Sequence, residues 1–544
     1  MSPSSPSSLT EAFVNIKASH LIVASVVFIV YFILHKLYIY PFLLSPLRNV
    51  PGPSLGHPLW GQFPKVINSE SGLPQREWVK QYGPVVRVIG PVGLDRLMLL
   101  KPEALHKMMV ADWLDYPRPG FLRKVLGHVT GYGLLTVTGD EHRQMRKAMN
   151  PAFSIPNLMA QTDMYYDAIQ GLVDIFASQT ISKEGKEIQV YDWMSKVTLD
   201  IICATSFGYH TDSLHNPHNE LAEAYEHLVG LQSGPNIAML ILTMVIPGMP
   251  RFLQSELAHQ YRSLFTHIRI LAPLSTLIAS MHSIKRISAQ MLKEKMKESI
   301  ESGMVEGDSE LSGKKDIMSI LVRARTREVG SGYRMSDEAM MAQVLRFLGA
   351  GHETTASGLT WTLWLLVNDI SSQERLRAEV GPVYAQNSRP DYKTLRDMKW
   401  LDCVVMESLR VMPPVPITLR KAAKSDYIDG LFVPKGTLFW IPIRTINTWT
   451  NVWGDDAEEF HPERWLNLPK NYNSTFSTFS FIAGPHMCIG KTMAIIEMKA
   501  VLAALIASFT FEPAYEGQTA LTAAAITMKP TDGMPLKVKR VQDL

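Results

Sequence analysis

The stretch Phe481-Ile482-Ala483-Gly484-Pro485-His486-Met487-Cys488-Ile489-Gly490 decides how this chain is read. One cysteine sits in a glycine- and proline-bearing loop, directly ahead of an apolar segment that reads as a long helix to about Ser508. Glycine lets backbone approach a flat partner closely, and N–H groups at a helix start stabilise a thiolate. A single thiolate with no second ligand nearby makes a poor zinc site. It is a natural axial ligand for a haem iron, where thiolate donation favours O–O cleavage.

Three further segments stand N-terminal to it. Ser336-Asp337-Glu338 opens a helix, a capping serine followed by acids that suit the positive end of the dipole. The helical pattern runs on to about Val367, roughly 30 residues or about 45 Å. In its middle lies Ala350-Gly351-His352-Glu353-Thr354-Thr355, where Gly349 and Gly351 are expected to weaken the regular ladder. A threonine hydroxyl at such a gap can hold water or dioxygen, and the adjacent acid can relay protons. The plain alternative makes Glu353 a charge on the helix surface. Glu407-Ser408-Leu409-Arg410 sets a carboxylate and a guanidinium three apart on one helix face. Phe460-His461-Pro462-Glu463-Arg464-Trp465 offers a second arginine to close a buried network with that pair.

The rest of the sequence bounds the class. Of 544 residues, 46% are hydrophobic and 19% charged, with a formal net charge of +3. That supplies a large core and gives no argument for nucleic acid. Helical patterns dominate, with loops near 208–217 and 303–315, and strands are few: 85–89, 97–100, part of 419–446 and C-terminal material. The expectation is a mainly α protein with small β-sheets. Cys203, Cys403 and Cys488 are far apart with no CxxC, which argues against a disulfide framework or zinc ribbon. Cys203 and Cys403 read as buried small hydrophobes.

From Ala18 to Leu34 the chain carries no acidic or basic residue apart from His20, and the span is long enough to cross a bilayer. No small-residue cleavage site follows, so a retained anchor is expected. His35, Lys36 and Arg48 follow it while Glu11 and Lys17 precede it, which favours a cytoplasmic catalytic domain. Val50-Pro51-Gly52-Pro53 is a stiff elbow. The expected organisation is a tail at 1–17, a transmembrane anchor and interface at 18–44, a Pro-rich hinge at 45–58 and a haem-thiolate catalytic domain at 59–544. The apolar run 238–246 reads either as a core helix or as a surface dipping into the same membrane.

Taken together, the cysteine loop, the A-G-x-E-T helix, the E-x-x-R helix and the P-E-R segment resemble a cytochrome P-450 monooxygenase of the membrane-bound eukaryotic type. The style of Thr138-Gly139-Asp140-Glu141-His142-Arg143-Gln144-Met145-Arg146 resembles fungal members. The resemblance implies one large helical haem domain, haem b with its iron, electrons from NADPH through an NADPH-cytochrome reductase (a b-type cytochrome is a second candidate donor), and a lipophilic substrate. It implies Cys488 as the axial iron ligand with Phe481 packed near it, and Thr354 and Glu353 as the oxygen-activating pair. Glu407, Arg410 and Arg464 match a structural triad. His142 and Arg146 match the W-x-x-x-R positions that bind a haem propionate, with His replacing Trp, and Arg420 matches another propionate-binding arginine. His486 stands where the family usually has a propionate-binding arginine, and Ile482 where it often has glycine. His142 could instead lie on a helix surface, and His486 could face solvent.

The pocket wall implied by the resemblance comprises a loop at 121–134, Phe347, Ala350, Ile417, Thr418, Ala525, Ile526 and Thr527. Those side chains are mostly apolar or small, so a lipophilic compound follows, such as a terpenoid, steroid or fatty acyl compound, with a terpenoid of fungal secondary metabolism as the specific expectation. Lys147 and Lys491 are expected to face the reductase, and the location expected is the endoplasmic reticulum. Two rival readings stay open at this point. One is a haem-thiolate isomerase or dehydratase needing neither O₂ nor NADPH; the other is a hydrolase using Cys488 as nucleophile.

Overall fold

The computed structural model describes residues 18–541 apart from 183, 232–235, 237–238, 240–242, 244–245, 270, 304–315, 328–334 and 524–525. The expected tail, most of the apolar run at 238–246, nearly all of the 303–315 loop and Ala525 lie outside the described residues.

Helices carry the molecule, and the strands form three small sheets. The first helix, α1 (Ala18–Leu34), continues as a π-helical stretch, His35–Leu44, around Pro41. Residues His20–Leu44 have a mean hydropathy of 2.2, long and apolar enough to cross a membrane. Its end is pinned to the first sheet rather than left free. In β1 (Val85–Ile89), Arg87 donates from Nη2 to Pro41 O at 2.6 Å and ion-pairs with Asp95 at 2.6 Å. Asp95, which opens β2 (Asp95–Leu99), also accepts from Ser45 Oγ at 2.6 Å. The proline elbow runs along β1: Arg87 N donates to Pro51 O at 2.9 Å. A Cβ on Gly52 would lie 1.8 Å from Arg87 O, so only glycine permits that approach.

The remaining strands are β3 (Lys186–Gln189), β4 (Thr418–Lys421), β5 (Asp426–Ile428), β6 (Leu431–Val433), β7 (Leu438–Ile441), β8 (Phe509–Pro513) and β9 (Pro535–Arg540). The first sheet has the order β1-β2-β7-β4, with β7 parallel to β2 and antiparallel to β4. The second is β3-β9-β8 and the third is β5-β6.

Six longer helices position the site: α2 (Gly139–Met149), α3 (Val190–Phe207), α4 (Ala272–Gly303), α5 (Asp337–Asn368), α6 (Lys399–Val411) and α7 (Lys491–Ser508). Ser336 caps α5 by accepting from Ala339 N at 3.1 Å. The helix then runs unbroken for 32 residues through Gly349 and Gly351. The expected weakening of its ladder is therefore absent. Gly351 serves packing instead, since a Cβ there would lie 2.8 Å from the Ile202 side chain of α3. Ser357 Oγ and Trp361 Nε1 both donate to Met528 O, at 2.9 and 2.5 Å, fastening the C-terminal segment to α5. Burial of large side chains such as Leu359, Trp361, Leu363 and Leu502 gives one core across α3, α5 and α7, each contributing about 1.5–3 kcal/mol. A second, smaller core lies under the first sheet.

Candidate active site

The cysteine loop is built by its own backbone. Met487 N donates to Gly484 O at 2.9 Å and Cys488 N donates to Phe481 O at 3.0 Å. Gly484 has φ +71°, and a Cβ on it would meet Met109 O at 2.0 Å. A neighbouring protein backbone thus requires glycine at this position. Ile482 adopts φ +49°, a conformation that costs an L-residue about 1–2 kcal/mol. This is the position at which glycine is the usual residue of the family resembled above.

Cys488 opens onto a cavity of about 1870 Å³, whose wall includes Phe481, Thr354, Glu353, His142, His486 and Arg146. Protein packed behind the cysteine pushes its thiol pKa up, opposed by the Gly490 N–H, Arg146 and Lys491.

A cluster of cations lies beside the loop without a counter-charge. His142, on α2, and His486 are both buried, with ring centroids 4.2 Å apart. The surface and solvent-facing alternatives for these two residues do not hold. Trp113 packs edge-on against His486 at 5.2 Å and near His142 at 5.6 Å. Arg118 Nη1 lies 3.3 Å from His486 Nδ1 and donates to Leu135 O at 3.1 Å. Burial, then the nearby arginines, hold His142 down at about 4 and His486 at about 2. Burial and a neighbouring guanidinium lower Arg118 to about 10 and Arg346 to about 9. Arg420 is fully buried just behind the wall, with its pKa pushed down by burial and by Arg118. Arg346 Nε, Arg420 Nη2 and His142 Nδ1 are buried with no hydrogen-bond partner among the described residues. Arg146 donates to Met487 O. Such a set is incomplete without an oxygen-rich anion, and the two propionates of a haem supply one. Sequence reasoning found His142, Arg146, Arg420 and His486 but missed Arg118, Arg346 and Trp113. Only the proline-flanked setting Pro117-Arg118-Pro119 marks one of them, and it is weak.

Glu353 is buried on α5. Its Oε1 accepts from Tyr191 Oη at 2.6 Å and Thr527 Oγ1 at 2.9 Å, while Oε2 has no partner. Burial raises its pKa, against the two hydroxyls and Lys529, whose Nζ lies 5.0 Å from the Tyr191 ring centre. It is not a helix-surface charge. Thr354 sits on the wall with its hydroxyl donating to Ala350 O at 2.8 Å. Tyr191 was not foreseen, since it lies 162 positions from Glu353 in the chain.

Glu407, Arg410 and Arg464 come together away from the cavity wall. Arg410 grips Glu407 through Nε and Nη2 at 2.7 and 2.8 Å, and Arg464 Nε joins at 3.2 Å. Trp465 Nε1 and the His461 N–H add bonds of 3.0 and 2.9 Å. Arg410 and Glu407 are fully buried. Cys203 and Cys403 are buried, as expected of small hydrophobes.

The sequence profile of the cytochrome P-450 family matches residues 50–536. Cytochrome P-450 monooxygenase 205 of Postia placenta is 31% identical over 509 residues, covering 89% of this chain and 90% of that protein. Cytochrome P-450 monooxygenase claW of Ampulloclitocybe clavipes is 30% identical over 494 residues, covering 86% of each. Cytochrome P-450 monooxygenase sphH of Aspergillus fumigatus is 28% identical over 524 residues, covering 94% of this chain and 91% of that protein. The isomerase or dehydratase alternative is not favoured by this company. A hydrolase lacks its orienting acid, since the partners of His486 among the described residues are Arg118, Trp113 and His142. Family membership implies haem iron and electrons delivered by a reductase. This chain belongs to the cytochrome P-450 family and is a monooxygenase of it.

Proposed function

We propose that this enzyme inserts one oxygen atom of O₂ into a terpenoid-like lipophilic molecule of fungal secondary metabolism, using NADPH-derived electrons. The observation that carries the reading is one cavity with the Cys488 thiol on its wall beside an unneutralised group of arginines. Thiolate-bound haem iron supplies the oxygen-activating chemistry. Cys488 would hold the iron of haem b through its thiolate, with Phe481 packed beside it, and Arg118, Arg346, Arg420 and Arg146, with His142 and His486, would hold its carboxylates. Neutral histidines donate a single N–H each, so the arginines carry the charge compensation. Glu353, its pKa raised by burial and its carboxylate held by Tyr191 and Thr527, is the group on this wall suited to take up and pass on a proton. Thr354 can turn toward the cavity by giving up its bond to Ala350 O, a cost of about 1 kcal/mol. Glu407, Arg410 and Arg464 support the fold around the cysteine loop.

The wall is apolar at Phe121, Leu122, Phe347, Ile417 and Ile526, which suits a lipophilic substrate. The α1 helix anchors the domain to the endoplasmic reticulum, facing the cytoplasm. Lys147 and Lys491 offer charge to the acidic face of a reductase or b-type cytochrome. The test is co-expression with a reductase and a terpene panel, with products read by mass spectrometry. NADPH-dependent gain of one oxygen is expected, and Cys488→Ser should lose the thiolate-type carbon monoxide spectrum. Turnover without NADPH, or a normal spectrum in the variant, would overturn the reading.

A further inference from the structure

One cation on the cavity wall stands apart from the arginines beside the cysteine loop. Arg96 lies on β2, pairing with Leu438 of β7, which in turn pairs with Lys421 of β4. Directly paired residues share a face of a sheet, so Arg96, Leu438 and Lys421 form one row. The two cations stand about 10 Å apart, two strand spacings. Leu419 and Trp440 form the adjacent row on that face, and all five residues line the cavity. The opposite face carries Leu97, Phe439 and Arg420, so this row is separate from the arginines described above.

Arg96 is unusually placed for a cation. Its guanidinium lies 5.2 Å from the centre of the Trp440 ring, and it has no hydrogen bond or ion pair among the described residues. Nη1 is shut against Gly90, where a Cβ would lie 1.0 Å away. Of the acids on the cavity wall, Asp95 is committed to Arg87 and Ser45, and Glu353 to Tyr191 and Thr527. The third, Glu497, is buried with its pKa pushed well up by burial, and it makes no ion pair with Arg96 among the described residues. Lys421 has no ion pair either, and the end of the anchor contributes Lys36 and Tyr40 to the same cavity. Desolvating a guanidinium without an anion is costly, and a carboxylate is the partner its fork fits best.

We propose that Arg96, backed by Lys421, is the carboxylate-recognition point of the substrate cavity, so that the preferred substrates are amphipathic acids rather than neutral lipophiles. This rests on the monooxygenase reading and narrows its substrate class. The acid head docks on the Arg96–Trp440 wall while the apolar body fills the rest of the cavity. A phospholipid head group offers the same oxygen-anion chemistry from another source.

The experiment uses full-length, haem-loaded enzyme in phosphatidylcholine nanodiscs at neutral pH. Dodecanoic acid and its methyl ester are titrated, and the substrate-induced Soret shift gives each Kd. The acid should bind about tenfold more tightly than the ester. Arg96→Gln should bring the ratio close to one while leaving ester binding unchanged, and Arg96→Lys should restore part of it. Lys421→Gln, on an exposed strand end, should reduce the ratio by about threefold and serves if Arg96→Gln does not fold. Equal binding of acid and ester by the unaltered enzyme, or an unchanged ratio in the variants, overturns the proposal. An Arg96→Gln effect confined to phosphatidylserine discs would assign the residue to lipid head groups and overturn it as well. An ester-induced Soret shift keeps the family reading standing in each of those cases, whereas absence of any Soret band would remove that reading itself.

Discussion

Glu407 is the residue whose loss should be felt most widely. Its two oxygens accept two bonds from Arg410 and one each from Arg464, Trp465 and the His461 main chain. Glu407→Gln keeps the shape, but it removes the charge and turns one acceptor into a donor facing donors. Arg410 would then keep only carbonyl partners, Asn447, Ala457 and Glu459, at a site with no solvent. Breaking a buried pair on one side costs about 3–5 kcal/mol, set against a total of about 5–15 kcal/mol for a typical domain. The variant should melt roughly 3–5 °C lower, read by near-ultraviolet circular dichroism and by haem retention on heating. The companion variant Glu407→Met with Arg410→Met removes both charges, while Arg464 keeps its 2.6 Å pair with Asp456. It should recover at least half of the loss, because no buried charge is stranded. A single variant within about 1 kcal/mol of the parent, or a double variant worse than the single, would refute the view that the ion pair here is a buried, mutually dependent unit.

Further outcomes follow from the same structure. Gly484→Ala forces a Cβ against Met109 O at 2.0 Å and a positive φ, so haem content of the purified protein should collapse. Tyr191→Phe removes one donor from the Glu353 carboxyl, a loss of about 1–3 kcal/mol in stability by thermal melt; product formed per NADPH oxidised should fall. Thr354→Ala should leave haem content intact, lower product per NADPH and raise hydrogen peroxide release; unchanged coupling would make Thr354 a helix residue only. His352 is buried and held at about 4, below its ordinary 6.5, by burial. The folded state resists its protonation, so stability is full above pH 6.5 and is lost as pH falls toward 4. The loss is roughly 3 kcal/mol at most, and His352→Gln should flatten that limb of the pH–stability curve.

The cysteine loop, the long α5 helix with Glu353 and Thr354, and the E-x-x-R helix were all legible in the sequence because each is local. A capping serine, an apolar period or an i,i+3 pair is written within a few residues, and so was the apolar helix 18–34. The reasons attached to individual residues were less secure. Gly351 was read as a weak point in α5, but it is a contact point for Ile202 on α3, and the approach of Met109 O to Gly484 was not foreseen. Which long-range partners meet was not legible at all. Tyr191 and Thr527 reach Glu353 from 162 and 174 positions away, and Arg118 reaches His486 from 368. Arg96 looks like any strand arginine until β2, β7 and β4 are laid side by side. Local patterns determined which elements form, because backbone geometry and burial period are properties of neighbours in the chain. Only the tertiary structure decided which charges are left unpaired, because that depends on what every other element brings to the same buried wall.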